Sequence, residues 1–497
     1  MEKAKNSIYN HVLRYTGLFG GVQGFSMLMS FVRNKFVAVL LGSIGIGLID
    51  LYNRTVNLFA AMTQLIVPVA SVRALSLAYE TGNPCEMAEQ VRIVRSWTLL
   101  TALVGFLLCA LSSPLLSHLT FGDYHHWLHF VLLAPIIPLV AISGSELSIL
   151  KATRRLKSLA WTSFWGAVTL AVFTIPFYVW LGIRGVVPAL LFSTLALVVV
   201  QLCYTLPLYK WRSNPFSLSV LRRGAGLVRL SLFYIVANVV AAGAEYAVRY
   251  IMGSWGNIHE LGLYSSGMIL MVAVGHFIFV TMDADYYPRL SACCNHHGKM
   301  NLTVNRQLEV CVLLLSPFLV FYVVFIPSVI QLLFSSSFLA VIPMAVLATF
   351  YMYFKAITTP VAYIALAKGD GRTYLVMECC YYVVFVLLIG GGFWLGGIAG
   401  TGIALSLSNL FDLLLISWVY HRKYHFAFSR KAMQISLIQG MLVLSVVSMK
   451  MCWKNPGWAF YACGIVLGLL STAYSLYILS QRSSLKQILH INRPSGK

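Results

Sequence analysis

The residues that stand out are charges where charges are expensive. Asp50 and Arg54 lie four residues apart in one long apolar stretch, and Glu245 and Arg249 repeat that spacing in another. On a helix, residues i and i+4 share a face, so each pair can neutralise itself. Arg33 and Lys35 end the first apolar stretch, and Lys355, Glu378 and Asp412 lie in later ones, as does Glu146. A charge in hydrocarbon costs several kcal/mol unless it is paired or solvated, so each of these needs a reason. Two readings stand. In one, the pairs are structural ion pairs. In the other, Arg33, Arg54 and Arg249, with Lys35 and Lys355, line a polar path and bind an anion. Guanidinium groups offer the bidentate contacts that phosphate favours. Asp50, Glu245, Glu378 and Asp412 would then pair with these cations or couple an ion to transport. Arg33 has no acidic neighbour at helical spacing, which favours the binding role for it.

Other reactive types give weaker signals. Asp123, His125, His126 and His129 cluster at the expected outer end of one span, an aqueous boundary where histidines need no metal. Asp283 and Asp285 sit at another helix end. The ten cysteines include the adjacent pairs Cys293-Cys294 and Cys379-Cys380, which lack metal-ligand spacing and read as apolar fillers. No cofactor is expected apart from a possible coupling ion, a proton or sodium.

The elements that position these charges are membrane spans. Hydrophobic residues make up 59% of the 497 and charged residues 10%, against about 25% charged in soluble chains. Mean hydropathy is +0.79. Apolar stretches of about 20 residues suit helices crossing a ~30 Å core. Spans are expected near 9–32, 46–71, 94–115, 126–149, 158–180, 184–208, 226–251, 262–284, 309–331, 338–365, 374–395, 397–420, 432–450 and 457–480. The first is read as a retained span and not as a cleaved signal.

The basic residues then sort by side. Of 36 lysines and arginines, 28 fall in one alternating set of loops and in the tails, three fall in the other set, and five remain in spans. Arg92 and Arg95 are among the loop cations. The positive-inside rule places that side, and both termini, in the cytoplasm. The formal net charge of +21 is therefore a topology signal, directed at anionic membrane lipids and not at nucleic acid. No loop exceeds about 25 residues and no phosphate-binding P-loop occurs, which excludes a single-chain ATP-driven pump.

An internal repeat runs through the chain. Gly182-Ile183-Arg184-Gly185 through Ala189-Leu190 matches Gly397-Ile398-Ala399-Gly400 through Ala404-Leu405, and Ser193 aligns with Ser408. Two six-span units would keep the same orientation, giving parallel repeats. The expected fold is an all-α polytopic membrane protein of about 14 helices. Two parallel six-helix repeats form lobes around a central cavity, spanning 1–210 and 211–425, and 426–497 adds two helices and a tail.

Four stretches resemble the O-antigen type lipid-linked oligosaccharide flippases, which share a superfamily with multidrug extruders and lipid II flippases. These are Phe31-Val32-Arg33-Asn34 with Leu41-Gly42, Met252 to Ser265, Ala367 to Arg372, and Gly397 to Ala404. The acid that often follows the family's first-span arginine is Asn34 here. The resemblance implies a transporter, not an enzyme, in the bacterial inner membrane. It would move an undecaprenyl-diphosphate-linked oligosaccharide from inner to outer leaflet, and polysaccharide assembly proteins would be its partners. A multidrug or cation extruder is the alternative, and would favour acidic and aromatic cavity residues. A membrane-embedded glycosyltransferase or polymerase would need a large external loop carrying carboxylates or histidines, and none is found.

The topology is directly testable. Reporter fusions after Lys157, Arg223, Lys299 and Arg430 should report cytoplasm, and fusions near Gly122 and Asn257 the exterior. Reversed polarity at any one breaks the span assignment.

Overall fold

A computed structural model describes residues 2–63, 68–121, 123–153, 155–213, 217–453 and 457–482. Within these residues the secondary structure is helical, as the hydropathy requires: an unpaired backbone polar group in hydrocarbon costs several kcal/mol, and a helix satisfies all of its own. Among the described residues, ten helical stretches are long and apolar enough to cross a membrane, or up to 11 if one bent pair is a single span. The chain is a multi-pass integral membrane protein. The side chains of the tail cations, and those of Asp283 and Asp285, lie outside what the structure describes.

The helices gather into two compact units. The first holds residues 1–262 and the short segment 332–337; the second holds 263–331 and 338–497. The expected boundary near 210 follows the sequence repeat, whereas these bounds follow packing.

In the first unit, α1 (Glu2–Thr63) packs against α6 (Leu156–Leu181) and α8 (Leu218–Trp255). α3 (Pro84–Phe121) packs against α5 (Ile136–Ala152) and α8, and α7 (Val186–Thr205) against α5 and α6. The shorter α2 (Pro68–Glu80) packs against α3 and α5, and α4 (Trp127–Leu133) against α3 and α7. In the second unit, α9 (Ile258–Cys293) continues from the first, followed by α10 (His297–Leu333) and α11 (Ile342–Leu347). α12 (Thr349–Ala367) and α11 lie on α13 (Gly371–Tyr424), and α14 (Arg430–Cys452) forms a hairpin with α15 (Trp458–Arg482).

The repeated glycine motif has a backbone reason. Gly182 takes φ 56°, ψ −134° and Gly397 φ 55°, ψ −143°, a left-handed region that other residues enter only with strain. The next glycine of each motif solves a second problem. A Cβ on Gly185 would collide with the Phe177 carbonyl, and one on Gly400 with the Gly392 carbonyl. Both carbonyls lie eight residues upstream. The two motifs therefore build the same break between helical segments, one between α6 and α7 and one inside α13. Gly42, at φ 64°, makes a comparable break inside α1.

One ion pair anchors the first unit. Arg95 and Glu146 have fully buried side chains and meet in two parallel hydrogen bonds of 2.7 Å, from Nε to Oε1 and from Nη2 to Oε2. The remaining nitrogen, Nη1, donates to the carbonyls of Tyr209 and Lys210 at 3.1 and 3.2 Å, and the guanidinium lies 4.7 Å from the Trp211 ring. This corrects the sorting of Arg95 with the loop cations: it lies inside α3. Four of its five N–H donors thus meet the carboxylate and two carbonyls just past α7, holding the start of the connection to α8 against α3 and α5. Tyr209 also packs on the apolar cluster of Leu75, Val91, Val94 and Ile149.

In the second unit, Asp370 ties the two ends of α13 together. Its carboxylate caps the helix by accepting from the Thr373 amide at 3.1 Å, and accepts from Tyr424 at 2.8 Å and Lys423 at 2.6 Å. Partial burial pushes its pKa up, but Lys423, Thr373 and Tyr424 outweigh that and hold it well below the usual carboxylate range.

Removing one partner of the Arg95–Glu146 pair strands a buried charge. Glu146→Leu is expected to cost about 3–5 kcal/mol, whereas Arg95→Met/Glu146→Leu recovers most of the loss. Thermal unfolding of the full chain in detergent checks this. An unchanged midpoint for Glu146→Leu removes the pair from the stability argument.

Candidate functional site

The two intrahelical pairs foreseen in α1 and α8 form one four-membered network. Asp50 and Arg54 sit on the part of α1 that follows the Gly42 break, and Glu245 and Arg249 sit in the last third of α8, which packs against α1. Arg54 Nε reaches Asp50 Oδ1 at 3.3 Å, and Arg54 Nη1 reaches Glu245 Oε2 at 3.6 Å. Arg249 Nε donates to Asp50 Oδ2 at 3.0 Å, and Arg249 Nη1 donates to Glu245 Oε2 and, at 3.2 Å, to the Glu245 carbonyl. Each carboxylate thus bridges both arginines.

Exposure is graded across the network. The Arg249 side chain is fully buried, Asp50 and Glu245 are 18% and 21% exposed, and Arg54 is 32% exposed. Arg249 is the anchor and Arg54 the member that can reach outward. With two positive and two negative groups the set is neutral, which is how it tolerates its surroundings. An arriving anion must compete with Asp50 and Glu245 for Arg54.

Arg33 stands apart. Its Nη2 donates to the amide oxygen of Asn34 at 3.0 Å, and Tyr178 of α6 is within electrostatic range. Among the described residues it makes no ion pair, so its charge is not cancelled locally. The Asn34 departure from the family pattern therefore has a structural counterpart, since the neighbour gives a hydrogen bond but no negative charge. Lys35 donates to the Phe334 carbonyl of the 332–337 segment, so it acts in packing as well as charge. Nearby, and within the first unit, Ser43 pairs with His259, and Gly47 and Gly262 let α1 approach residues 258–262 closely: a Cβ on Gly262 would overlap the Ser43 carbonyl.

The second unit holds a smaller cluster. Lys355 of α12 faces the Tyr351 ring at 5.5 Å, and its charge is felt by Glu378 and Asp412 of α13. Thr358 lies near Asp412 and Tyr374 near Glu378, and the Thr358 hydroxyl donates to the Lys355 carbonyl at 3.4 Å. The two acids also sense each other. One cation against two acids leaves a net negative charge if all are ionised. Among the described residues no three His, Cys, Asp or Glu side chains converge as a metal site.

The boundary histidines are held by ordinary contacts. His126 bonds to Asp123 at 3.0 Å, and this bond lowers the Asp123 pKa. His129 bonds to the Tyr52 hydroxyl at 2.9 Å. Sequence reasoning missed the Arg95–Glu146 pair, although the lone acid in its span was a signal that a cation from another element had to meet it.

Because each carboxylate bridges two arginines, the network should respond as a unit. Arg249→Gln is expected to destabilise by about 3–5 kcal/mol, since Glu245 and Asp50 lose their buried partner. Glu245→Gln/Arg249→Gln keeps the Asp50–Arg54 pair neutral and should be more stable than Arg249→Gln alone. Melting of the full chain measures both, and simple additivity of the single losses would dissolve the unit.

Comparisons with known proteins bear on the fold and the family. Solved structures share the fold at low identity. An inward-facing multidrug resistance MATE family transporter of the MOP superfamily matches with TM-score 0.64 and 14% identity over 84% of this chain and 96% of that one. The lipid II flippase MurJ, in an inward closed conformation, matches with TM-score 0.60 and 16% identity over 93% and 99%. A MOP superfamily transporter from Pyrococcus furiosus, described by a reversed polarity of its binding pocket, matches with TM-score 0.54 and 13% identity over 87% and 94%. No curated protein matches. The family model described as "Polysaccharide biosynthesis protein" matches residues 85–343, more than half of the chain. The chain belongs to the polysaccharide biosynthesis protein family, on the helical fold shared by MATE transporters and MurJ.

Proposed function

We propose that this protein is a secondary transporter that flips a lipid-diphosphate-linked oligosaccharide, the repeat unit of a surface polysaccharide, from the inner to the outer leaflet by alternating access. The observation that carries the reading is membership of a polysaccharide biosynthesis family on a fold shared with a lipid II flippase. The same evidence favours a transporter over an enzyme. The carrier would be undecaprenyl diphosphate in a bacterial inner membrane, with both termini cytoplasmic. That topology needs an even number of spans; a reading of fourteen would part the described stretches 24–63, 157–205 and 371–424 at their glycine breaks and count the bent pair once.

The chemistry follows from charge balance. A diphosphate must be drawn from water into low dielectric, which needs cations that are not already neutralised. Arg33 meets that condition through its neutral partner Asn34. Arg54 meets it conditionally, because Asp50 and Glu245 hold it until a stronger anion arrives or a carboxylate is protonated. Binding and protonation are thereby linked: each makes the other easier, with the same coupling energy in both directions. The Lys355–Glu378–Asp412 cluster, with an excess of acid, is a second place where a proton or sodium ion would be held. Either ion would supply the driving force by favouring one conformation over the other.

One observation favours the alternative of a multidrug or cation extruder. Glu378 and Asp412 lie in a setting rich in tyrosine, with Tyr351, Tyr374 and Tyr381 close by, the acidic and aromatic pattern an organic cation would seek. The two readings part in one assay. Proteoliposomes are loaded with fluorescent lipid-diphosphate-linked oligosaccharide, and separately with a cationic dye. The flippase reading expects leaflet transfer of the first and no efflux of the second.

Arg33→Ala is expected to abolish leaflet transfer at normal membrane abundance, and Arg33→Lys to restore only part of it. An ammonium supplies the charge without the planar fork. Full transfer by Arg33→Ala takes Arg33 out of the binding path. Glu245→Gln/Arg249→Gln then separates roles at the network: a folded but inactive double variant places the pair in transport, and near wild-type transfer leaves it structural.

A further inference from the structure

The last hairpin has a groove with the shape and charge of an amphiphile site. α14 and α15 are fastened on one side by buried polar contacts. Gln439 donates to the Ser471 carbonyl at 3.2 Å and to Ser475 at 2.8 Å, and accepts from the Ser471 hydroxyl at 2.6 Å. This sets the register, which brings the start of α14 beside the end of α15. There a cavity of about 510 Å³ opens between the two helices. Lys431, Gln434 and Ile438 line it from α14, and Tyr474, Ile478 and Gln481 from α15. Both sets have helical spacing and so form single faces. On both, the polar residues come at the same end and the apolar ones deeper. Lys431 and Gln434 precede Ile438 on α14, and Gln481 follows Ile478 and Tyr474 on the antiparallel α15.

Charge commits the occupant. Asp412 is the last acidic residue in the chain; residues 413–497 hold ten lysines and arginines and no aspartate or glutamate. The groove mouth carries Lys431, with Arg430 beside it. No carboxylate on this hairpin can neutralise them, and the mouth lies on the side the basic loops assign to the cytoplasm. The volume falls within the roughly 300–1,000 Å³ of small-molecule sites. We infer that this groove binds an anionic glycerophospholipid of the inner leaflet, its phosphate at Lys431 and one acyl chain along Ile438, Tyr474 and Ile478. Its lining includes no residue of the Asp50–Arg54–Glu245–Arg249 network or of the Lys355 cluster. It would tether the hairpin to the cytoplasmic leaflet.

The test is native mass spectrometry of the full chain, released from nanodiscs containing equal phosphatidylglycerol and phosphatidylethanolamine. Wild type should retain phosphatidylglycerol in preference. Lys431→Gln should lower that preference about fivefold, the effect of one interfacial cation. Ile438→Trp, which fills the groove, should lose both lipids. Lys450→Gln, at the opposite end of α14, should retain the wild-type preference. Equal retention of the two lipids by wild type overturns the proposal, as does an unchanged preference in Lys431→Gln. Two further results overturn it by naming another occupant. One is displacement of phosphatidylglycerol by a lower concentration of added polyprenyl phosphate, lost in Lys431→Gln. The other is a dimer that disappears in Ile438→Trp.

Discussion

Charge in a low-dielectric medium has few stable arrangements, and the internal organisation of this protein depends on them. A lone buried ion is untenable, so each buried charge must meet an opposite one with good geometry or reach a polar path. Arg95 and Glu146 take the first route completely, with bidentate geometry and backbone carbonyls absorbing the remaining donors. The Asp50–Arg54–Glu245–Arg249 network takes a partial route. Its charges cancel, but its exposure grades from buried Arg249 to partly exposed Arg54. The first arrangement can only hold; the second can also exchange partners.

This difference separates a fixed ion pair from an exchangeable one within one unit. The buried pair fixes α3 to α5 and to the chain leaving α7, and every donor of Arg95 that it uses has a protein partner within 3.2 Å. In the network, one acid answers to two cations, so a change at any corner is felt at the others. Such a set is suited to registering the arrival of an anion or a proton, because either one alters the balance that keeps it neutral. The Lys355, Glu378 and Asp412 cluster is not balanced in this way, having more acid than base.

Backbone constraint supplies the scaffold. The paired glycines at 182 and 185 and at 397 and 400 do the same two jobs, a left-handed turn and a close approach to a carbonyl. A sequence match of small residues is ordinary in membrane helices, where such residues allow close packing. Here the match extends to the dihedral angles and to the carbonyl each second glycine faces, so the repetition has a mechanical cause.

Much of this was legible in the sequence because it depends on local terms. Hydropathy over 20-residue windows fixes which segments cross the membrane, and the spacing of Asp50 with Arg54 and of Glu245 with Arg249 fixes which partners share a helix face. The glycine repeat announced the breaks at Gly182 and Gly397 for the same reason, since φ is a property of one residue. Only the tertiary structure decided which helices meet. No spacing within α1 or α8 could show that Asp50 bridges to Arg249 or that Glu245 bridges to Arg54, because those contacts join residues almost 200 positions apart. The burial of Arg95 was hidden in the same way: it lies at a helix position where a loop cation and a core cation look alike, until Glu146 from another helix is seen against it. Sequence supplied the charges and their costs, and the packing of one helix on another chose how those costs are met.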